Sequence, residues 1–220
     1  MINKALILSG GKGTRLHEVT GNKIPKPLVK VAGNLTMLDM TISGLHSAGV
    51  EDITISTAHL SDQIEEHIAL NYPINSISII KENEDLGTGG SVLNYINVTG
   101  HSSFVVTPAD HFLNWLAITP FLIDSEALIH NSIMVWSVTN DDVHSQVRKN
   151  IWIEKCTQRI VLCTSGISQV EKQALESKFL NNSEYSNTTS AGLVAINSSY
   201  YKNEAKSFGQ QFCLYKDILP

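Results

Sequence analysis

Two short stretches near the start of the sequence carry side chains that suit phosphate binding. The first is a glycine loop, SGGKGTR from Ser9 to Arg15, which follows a short apolar run and ends in a guanidinium group. Glycines let backbone N–H groups approach phosphate oxygens closely, and the planar arginine fork matches phosphate geometry. The second is Pro25-Lys26-Pro27, in which two prolines with fixed φ angles flank another cation. Together these stretches predict a polyphosphate-binding site.

The glycine loop lacks the spacing of the two common nucleotide-binding loops. The dinucleotide fingerprint needs a further glycine three residues after Gly13, but Leu16 stands there. The P-loop needs Ser or Thr after its lysine, and Lys12 is followed by glycine instead. A plain strand-to-helix turn is the alternative for the glycines alone, and the two nearby cations weigh against it.

Strand and helix patterns alternate along the first half of the chain. Strands are predicted at residues 5–8, 52–57, 77–80 and 104–106. Helices are predicted around residues 38–45, from an N-cap at Ser61, and after a glycine-rich turn at 87–91. This alternation predicts a Rossmann-like, mostly parallel sheet flanked by helices. Ligands bind at the carboxyl ends of such strands, so the glycine loop, residues 87–90 and Asp110 can face one crevice.

Composition limits the class of protein and its partners. The 220 residues are enough for one domain with a buried core, and we expect residues 1–220 to form one. A net charge of −5 without a basic run argues against nucleic acid as a partner. No apolar run is long enough for a signal peptide or a membrane span. The three cysteines lack metal-type spacing, so we expect reduced thiols in the cytoplasm.

The two phosphate-binding stretches, read together, resemble the signature of the sugar-1-phosphate nucleotidylyltransferases, or NDP-sugar pyrophosphorylases. The shared pattern is G-G-x-G-T-R-L followed by P-K-P-L-V-x-V-A-G. The resemblance implies that Arg15 and Lys26 are catalytic. It also implies that the nucleotide is bound by Ser9, Gly10, Gly11, Gly13 and Thr14.

A second stretch, ENEDLGTGG from Glu82 to Gly90, resembles the base-binding segment of the same family. The resemblance implies that Glu82, Gly87 and Thr88 contribute to nucleotide binding. The alternative is a helix N-terminus that is opened by a flexible loop.

A third stretch is Thr107-Pro108-Ala109-Asp110-His111. A carboxylate at the end of a central strand is costly unless it is paired or holds a metal, and Mg²⁺ suits one or two carboxylates with substrate phosphates. The family has a metal-binding aspartate here, so the resemblance makes Asp110 the Mg²⁺ ligand. The spelling P-A-D-H is most similar to mannose-1-phosphate guanylyltransferases, which favours GTP.

The second half carries fewer signals. Strands are predicted at residues 132–138, 150–153, 159–163 and 190–196, with a polar loop at 181–189. The resemblance implies that Gly192 lies close to the sugar. It also assigns Lys172 to the sugar phosphate, although a solvated helix surface is the alternative for this residue.

The resulting expectation is transfer from an NTP to a sugar 1-phosphate, which gives an NDP-sugar and pyrophosphate for cell-envelope polysaccharides. We expect a nucleotide-binding half at 1–111 and a sugar-phosphate half at 112–220. The latter ends ahead of the second metal-binding aspartate of the family. Alternatives are a cytidylyltransferase for phosphocholine or an acidic sugar, and a non-catalytic nucleotide-binding homologue. A homo-oligomer is left open, and a Rossmann oxidoreductase is disfavoured by the glycine spacing.

Overall fold

A mixed β-sheet forms the centre of the protein. The computed structural model describes residues 1–13, 16–111, 115–139, 150–164, 168–215 and 217–218. Its strands are β1 (Lys4–Ser9), β2 (Lys30–Ala32), β3 (Leu35–Thr36), β4 (Asp52–Thr57), β5 (Ile77–Lys81), β6 (Ser103–Pro108), β7 (Met134–Thr139), β8 (Ile151–Glu154), β9 (Arg159–Cys163) and β10 (Tyr185–Asn197). Its helices are α1 (His17–Thr20), α2 (Met37–Ser47), α3 (Ser61–Asn71), α4 (Gly87–Thr99), α5 (Trp115–Ile129), α6 (Gln169–Glu176) and α7 (Ser198–Ala205).

The sheet has a parallel half and an antiparallel half. The strand order is β5-β4-β1-β6-β10-β8-β9, and β7 also pairs with β10. Strands β5, β4, β1 and β6 run parallel, whereas β10 runs antiparallel to its neighbours β6, β7 and β8. The expected Rossmann-like sheet flanked by helices is therefore confirmed. None of the helices among the described residues is long and apolar enough to cross a bilayer.

Hydrophobic cores cover both faces of the sheet, because alternate residues of a strand point to opposite faces. On one face, Ala5 and Ile7 of β1 pack with residues of α2, α3 and α5. On the other face, Leu6 packs with α4, α7 and residues between 212 and 218. The sheet is thus buried from both sides, which explains the continuous apolar runs of its parallel strands.

The carboxyl ends of three parallel strands lie side by side. Ser9 at the end of β1 is in register with Thr57 at the end of β4, and Leu8 is in register with Pro108 of β6. The N–H group of Ala109 also donates to the carbonyl oxygen of Leu8 at 3.0 Å. The loops that follow these strands therefore emerge at one edge of the sheet.

Three local predictions were wrong. Ser61 is the first residue of α3 rather than its N-cap, because Leu60 takes the N-cap position with a φ of 54°. The glycine-rich stretch is the first turn of α4 rather than a turn before it. The polar loop predicted at 181–189 ends earlier, since β10 begins at Tyr185 and pairs there with β8.

Candidate active site

A cleft of about 280 Å³ lies at the carboxyl ends of the parallel strands. It is lined by Leu8, Ser9, Gly10, Gly11, Gly13, Lys26, Pro27, Ala58, Glu82, Asp85, Gly87, Thr88, Ser91, Pro108, Ala109 and Asp110. The glycine loop, the base-binding segment and the residues after β6 thus lie around one cavity. Thr14, which the resemblance assigns to the nucleotide, and Arg15, which it makes catalytic, lie outside the described residues.

Lys26 is held at the cleft by the prolines on either side of it. Pro25 is extended, with φ −63° and ψ 139°, and starts a 3₁₀ turn over Lys26–Leu28 in which Pro27 is buried. The glycine loop approaches this turn closely, because a Cβ atom at Gly13 would lie 3.0 Å from the Cβ of Lys26. The cation therefore sits on a rigid turn next to the loop that is predicted to bind phosphate.

Lys26 forms an ion pair with Asp110 in the cleft. The Nζ of Lys26 donates to Oδ2 of Asp110, and the two side chains are 32% and 29% exposed. Thr41 of α2 anchors the loop that carries Asp110. The hydroxyl of this fully buried residue donates to the carbonyl oxygen of His111 at 2.9 Å. The pair thus presents one positive and one negative charge to whatever enters the cleft.

Glu82 is a buried carboxylate next to the glycine loop, where a Cβ atom at Gly10 would lie 3.7 Å from its Oε2. It accepts hydrogen bonds from the hydroxyl of Ser56, on Oε1, and from the hydroxyl of Ser91, at 3.0 Å on Oε2. Burial raises the pKa of Glu82 and Asp85 adds to this effect, while the two hydroxyls lower it. Two accepted bonds leave further lone pairs on the carboxylate, so Glu82 can still accept from a ligand.

Gly87 and Thr88 line the cleft, and both also form hydrogen bonds within the protein. The hydroxyl of Thr88 accepts from the N–H of Leu214 at 3.0 Å and lies 3.5 Å from the sulfur of Cys213, to which it donates. The N–H of Gly87 donates to the side chain of Asp85 at 3.0 Å. The side chain of Thr88 is therefore occupied by protein partners.

Gly192 lies against the residue that follows Asp110. Its φ is +86°, and a Cβ atom there would lie 2.0 Å from Nδ1 of His111. Lys172 is on α6, with its Nζ 3.7 Å from Oε1 of Glu176, and it does not line the cleft. The structure thus brings Gly192 close to the Asp110 loop and leaves Lys172 on a helix packed at the antiparallel half.

The residues around Asp110 suit a hard divalent cation that is shared with a ligand. Its carboxylate is partly exposed, lines the cleft and already neutralises one positive charge, that of Lys26. Among the described residues, no group of three or more His, Cys, Asp or Glu side chains is placed to hold a metal by itself. One carboxylate with substrate phosphates is a coordination mode of Mg²⁺, so the donor set fits this ion.

Several residues of the site could not be assigned from the sequence. Ser56 and Ser91, which bind Glu82, and Thr41, which anchors the Asp110 loop, are single hydroxyl residues inside regular elements. Their only signal is a small polar residue within a buried stripe, which is common in cores. Ala58 completes the lining from the loop after β4, where no local pattern marks it, and Asp85 lies within the base-binding stretch although the sequence assigned it no role.

Comparisons with known proteins point to one family. The sequence model of the family described as nucleotidyl transferase matches residues 4–146. A D-glycero-alpha-D-manno-heptose 1-phosphate guanylyltransferase of Aneurinibacillus thermoaerophilus is 29% identical over 130 residues, which are 59% of this chain and 52% of that protein. A mannose-1-phosphate guanyltransferase of Schizosaccharomyces pombe is 38% identical over 49% of this chain and 30% of its own length. This chain therefore spans about half of one relative and less than a third of the other.

Solved structures agree over nearly the whole chain. HddC from Yersinia pseudotuberculosis, in a complex with GMP-PN, superposes with a TM-score of 0.73 at 25% identity over 100% of this chain and 86% of that one. The inositol-1-phosphate CTP transferase from T. maritima gives a TM-score of 0.70 at 16% identity over 99% of this chain and 80% of its own, which shows the shared fold.

Proposed function

The chain belongs to the nucleotidyl transferase family, and we propose that it joins a nucleoside triphosphate to a sugar 1-phosphate. The products are an NDP-sugar and pyrophosphate. The curated relatives include a mannose-1-phosphate and a heptose 1-phosphate guanylyltransferase, which supports a sugar 1-phosphate as the acceptor.

The reaction sets simple demands on the protein. A phosphate oxygen of the sugar 1-phosphate attacks the α-phosphorus of the nucleotide, and pyrophosphate leaves. The attacking oxygen is an anion at neutral pH, so no general base is required. What the protein must supply is alignment of two anions and neutralisation of the charge that develops between them.

The ion pair of Lys26 and Asp110 is the observation that carries this proposal. Lys26 would neutralise the α-phosphate and the attacking phosphate, and Arg15 with the loop N–H groups would hold the leaving pyrophosphate. Asp110 and the substrate phosphates would hold Mg²⁺, which withdraws charge from phosphoryl oxygens and screens the repulsion between the substrates. Both groups of the pair lie in the cleft that the glycine loop lines. These roles require that position, because the lysine and the metal ligand must reach the same phosphates.

Glu82 supports GTP as the nucleotide. Its carboxylate only accepts hydrogen bonds, and it lies in the cleft between the glycine loop and α4. Guanine presents two adjacent donors, N1–H and the 2-amino group, on one edge. Adenine and cytosine each combine a donor with an acceptor on the corresponding edge, which suits a carboxylate less well.

A test is pyrophosphate release with Mg²⁺, crossing GTP, UTP, CTP, ATP and dTTP with a panel of sugar 1-phosphates that includes mannose 1-phosphate. We expect one strongly preferred pair that contains GTP, and no release when EDTA removes the metal. Preference for CTP with phosphocholine or an acidic sugar would favour the cytidylyltransferase alternative. Nucleotide binding without any release would favour a non-catalytic homologue. A cytoplasmic role in cell-envelope polysaccharide synthesis is part of the same proposal.

A further inference from the structure

A strap, residues 209–215, crosses the first turn of α4 and joins it through backbone hydrogen bonds. The N–H of Gly89 donates to the carbonyl oxygen of Phe212 at 2.9 Å, and the N–H of Phe212 donates to that of Leu86 at 3.2 Å. The strap is well anchored, because Phe212 and Leu214 are buried in the core on this face of the sheet. Its backbone therefore extends the hydrogen bonding of the helix end.

The glycines of α4 are required by the strap. A Cβ atom at Gly87 would lie 2.5 Å from the carbonyl oxygen of Phe212, and one at Gly89 would lie 2.4 Å from the phenyl ring of the same residue. At Gly90 it would lie 2.4 Å from the carbonyl oxygen of Gln210. Three glycines in four positions thus let one segment of backbone lie directly on another. The glycines of the pattern LGTGG are therefore explained by packing within the protein, without any contact to a nucleotide.

The side chain of Thr88 joins the strap to the cleft. Its hydroxyl uses both of its functions on the strap, since it accepts from the N–H of Leu214 and donates to the sulfur of Cys213. The next helical turn carries Ser91, which donates to Glu82. A displacement of the strap would therefore move the wall of the cleft that Gly87, Thr88 and Ser91 form.

We propose that the strap fixes the nucleotide-facing wall of the cleft, and that Thr88 and Phe212 are positioning residues for nucleotide binding. This inference rests on the proposed function, because it takes a nucleoside triphosphate as the ligand of that wall. Thr88 acts through the strap, and the strap acts through the position of α4. Loss of the Thr88 hydroxyl therefore weakens nucleotide binding without removing a direct contact to the nucleotide.

The experiment measures the Kd of each of GTP, UTP, CTP, ATP and dTTP by calorimetry, together with KM for both substrates. Thr88→Val, which keeps the shape and loses the hydroxyl, is expected to weaken binding of the preferred nucleotide on the order of tenfold. Thr88→Ser restores the hydroxyl and is expected to recover most of this loss. KM for the sugar 1-phosphate is expected to stay unchanged in both variants, which a general loss of folding would not produce.

Phe212→Leu distinguishes positioning from direct contact, because Phe212 does not line the cleft. We expect it to weaken nucleotide binding, and to be less than additive with Thr88→Val, since both changes loosen the same wall. Cys213→Ala is a milder change to the strap, because it removes only the sulfur atom that accepts from the Thr88 hydroxyl. Cys156→Ala, at an exposed cysteine, is its matched control.

The proposal is overturned if Phe212→Leu and Cys213→Ala both bind the nucleotide as the unchanged protein does while Thr88→Val does not. That result would make Thr88 a direct contact. If the unchanged protein binds nucleotide but releases no pyrophosphate, the transferase activity is wrong, and the binding constants still test the strap. An unchanged protein that binds none of the five nucleotides would overturn both proposals.

Discussion

Lys26 and Asp110 form an ion pair in the cleft although 84 residues separate them in the sequence. The pair joins the turn after the glycine loop to the end of strand β6. Each partner neutralises the other, and each has the charge that an incoming phosphate or divalent cation needs. Anions and cations that enter the cleft must therefore compete with the pair itself.

Asp110→Asn is expected to separate binding from turnover. The change removes a negative charge from the cleft and frees Lys26, so GTP binding without metal should become up to about fivefold tighter, as partly exposed pairs contribute under about 1 kcal/mol. Pyrophosphate release with Mg²⁺ should fall by about 10²-fold or more, because the carboxylate is lost. Calorimetry in EDTA and a release assay check both parts, with the exposed Asp124→Asn as control. If Asp110→Asn bound GTP more weakly than the unchanged protein in EDTA, GTP and Asp110 would not compete for Lys26.

Glu82→Gln is expected to relax the choice of base. The amide replaces one acceptor oxygen by a donor, so GTP binding should weaken roughly 10- to 100-fold, since hydrogen bonds to a charged group contribute about 1.5–3 kcal/mol. Binding of the other four nucleotides should change less. The matched control is Glu84→Gln, which is exposed and outside the cleft lining. An equal loss for all five nucleotides would argue against a role for Glu82 in base selection.

Asp39→Asn tests a polar cluster that ties the start of α2 to the end of α3. Burial raises the pKa of Asp39, but hydrogen bonds from His67, Thr36 and Tyr72 outweigh this effect and hold the pKa below its usual value. A lowered folded-state pKa stabilises the protein above the unfolded value, and this contribution disappears as the pH falls through the folded value. The variant should thus unfold more easily at pH 7, and its difference from the unchanged protein should shrink below about pH 4.

Chemical denaturation at several pH values measures this difference in the free energy of unfolding. Asp124→Asn is the control, because Asp124 is exposed on α5. A difference that stayed constant down to pH 2 would show that the carboxylate charge of Asp39 is not responsible.

Gly192→Ala is expected to lower the free energy of unfolding by roughly 2–5 kcal/mol, from the positive φ and from the contact with His111. The control is Gly33→Ala, whose φ is also positive, at +57°, but whose Cβ would meet nothing within 4 Å. The double variant Gly192→Ala with His111→Ala should recover the steric part of the loss. Equal losses for the two glycine variants would show that His111 does not press on this position.

The strands of the main sheet and several helices could be predicted because their signals are local, whereas the short strands β2 and β3 were not predicted. Strand β4 matches its predicted range, since Ile53 and Ile55 alternate with hydroxyl residues and pack into the core on one face of the sheet. The start of α4 could not be predicted, because its glycines are required by contacts with the strap, which lies more than 100 residues later in the chain. Helix α5 was not predicted either, as it is apolar on several sides and contains Pro120.

The residues of the candidate site also divide into those that the sequence could identify and those that depend on the packing of distant elements. The glycine loop, Lys26, Glu82 and Asp110 carry charge or backbone freedom that can be recognised from residue type and spacing. The hydroxyl of Thr41 supports the Asp110 loop from a position about 70 residues earlier in the chain. Such a contact depends on the packing of α2 against the sheet, which no short pattern contains.

Pyrophosphate release by Lys26→Ala tests the central claim most directly, with Lys30→Ala as the matched control. Lys30 is an exposed cation four residues further on, hydrogen-bonded to Asn34 and outside the cleft lining. With the preferred substrate pair, Lys26→Ala should lose about 10²- to 10³-fold in rate while its fold and thermal stability stay intact, and Lys30→Ala should keep its rate. Near-native release by folded Lys26→Ala would contradict the assignment of this cleft as the site of nucleotidyl transfer.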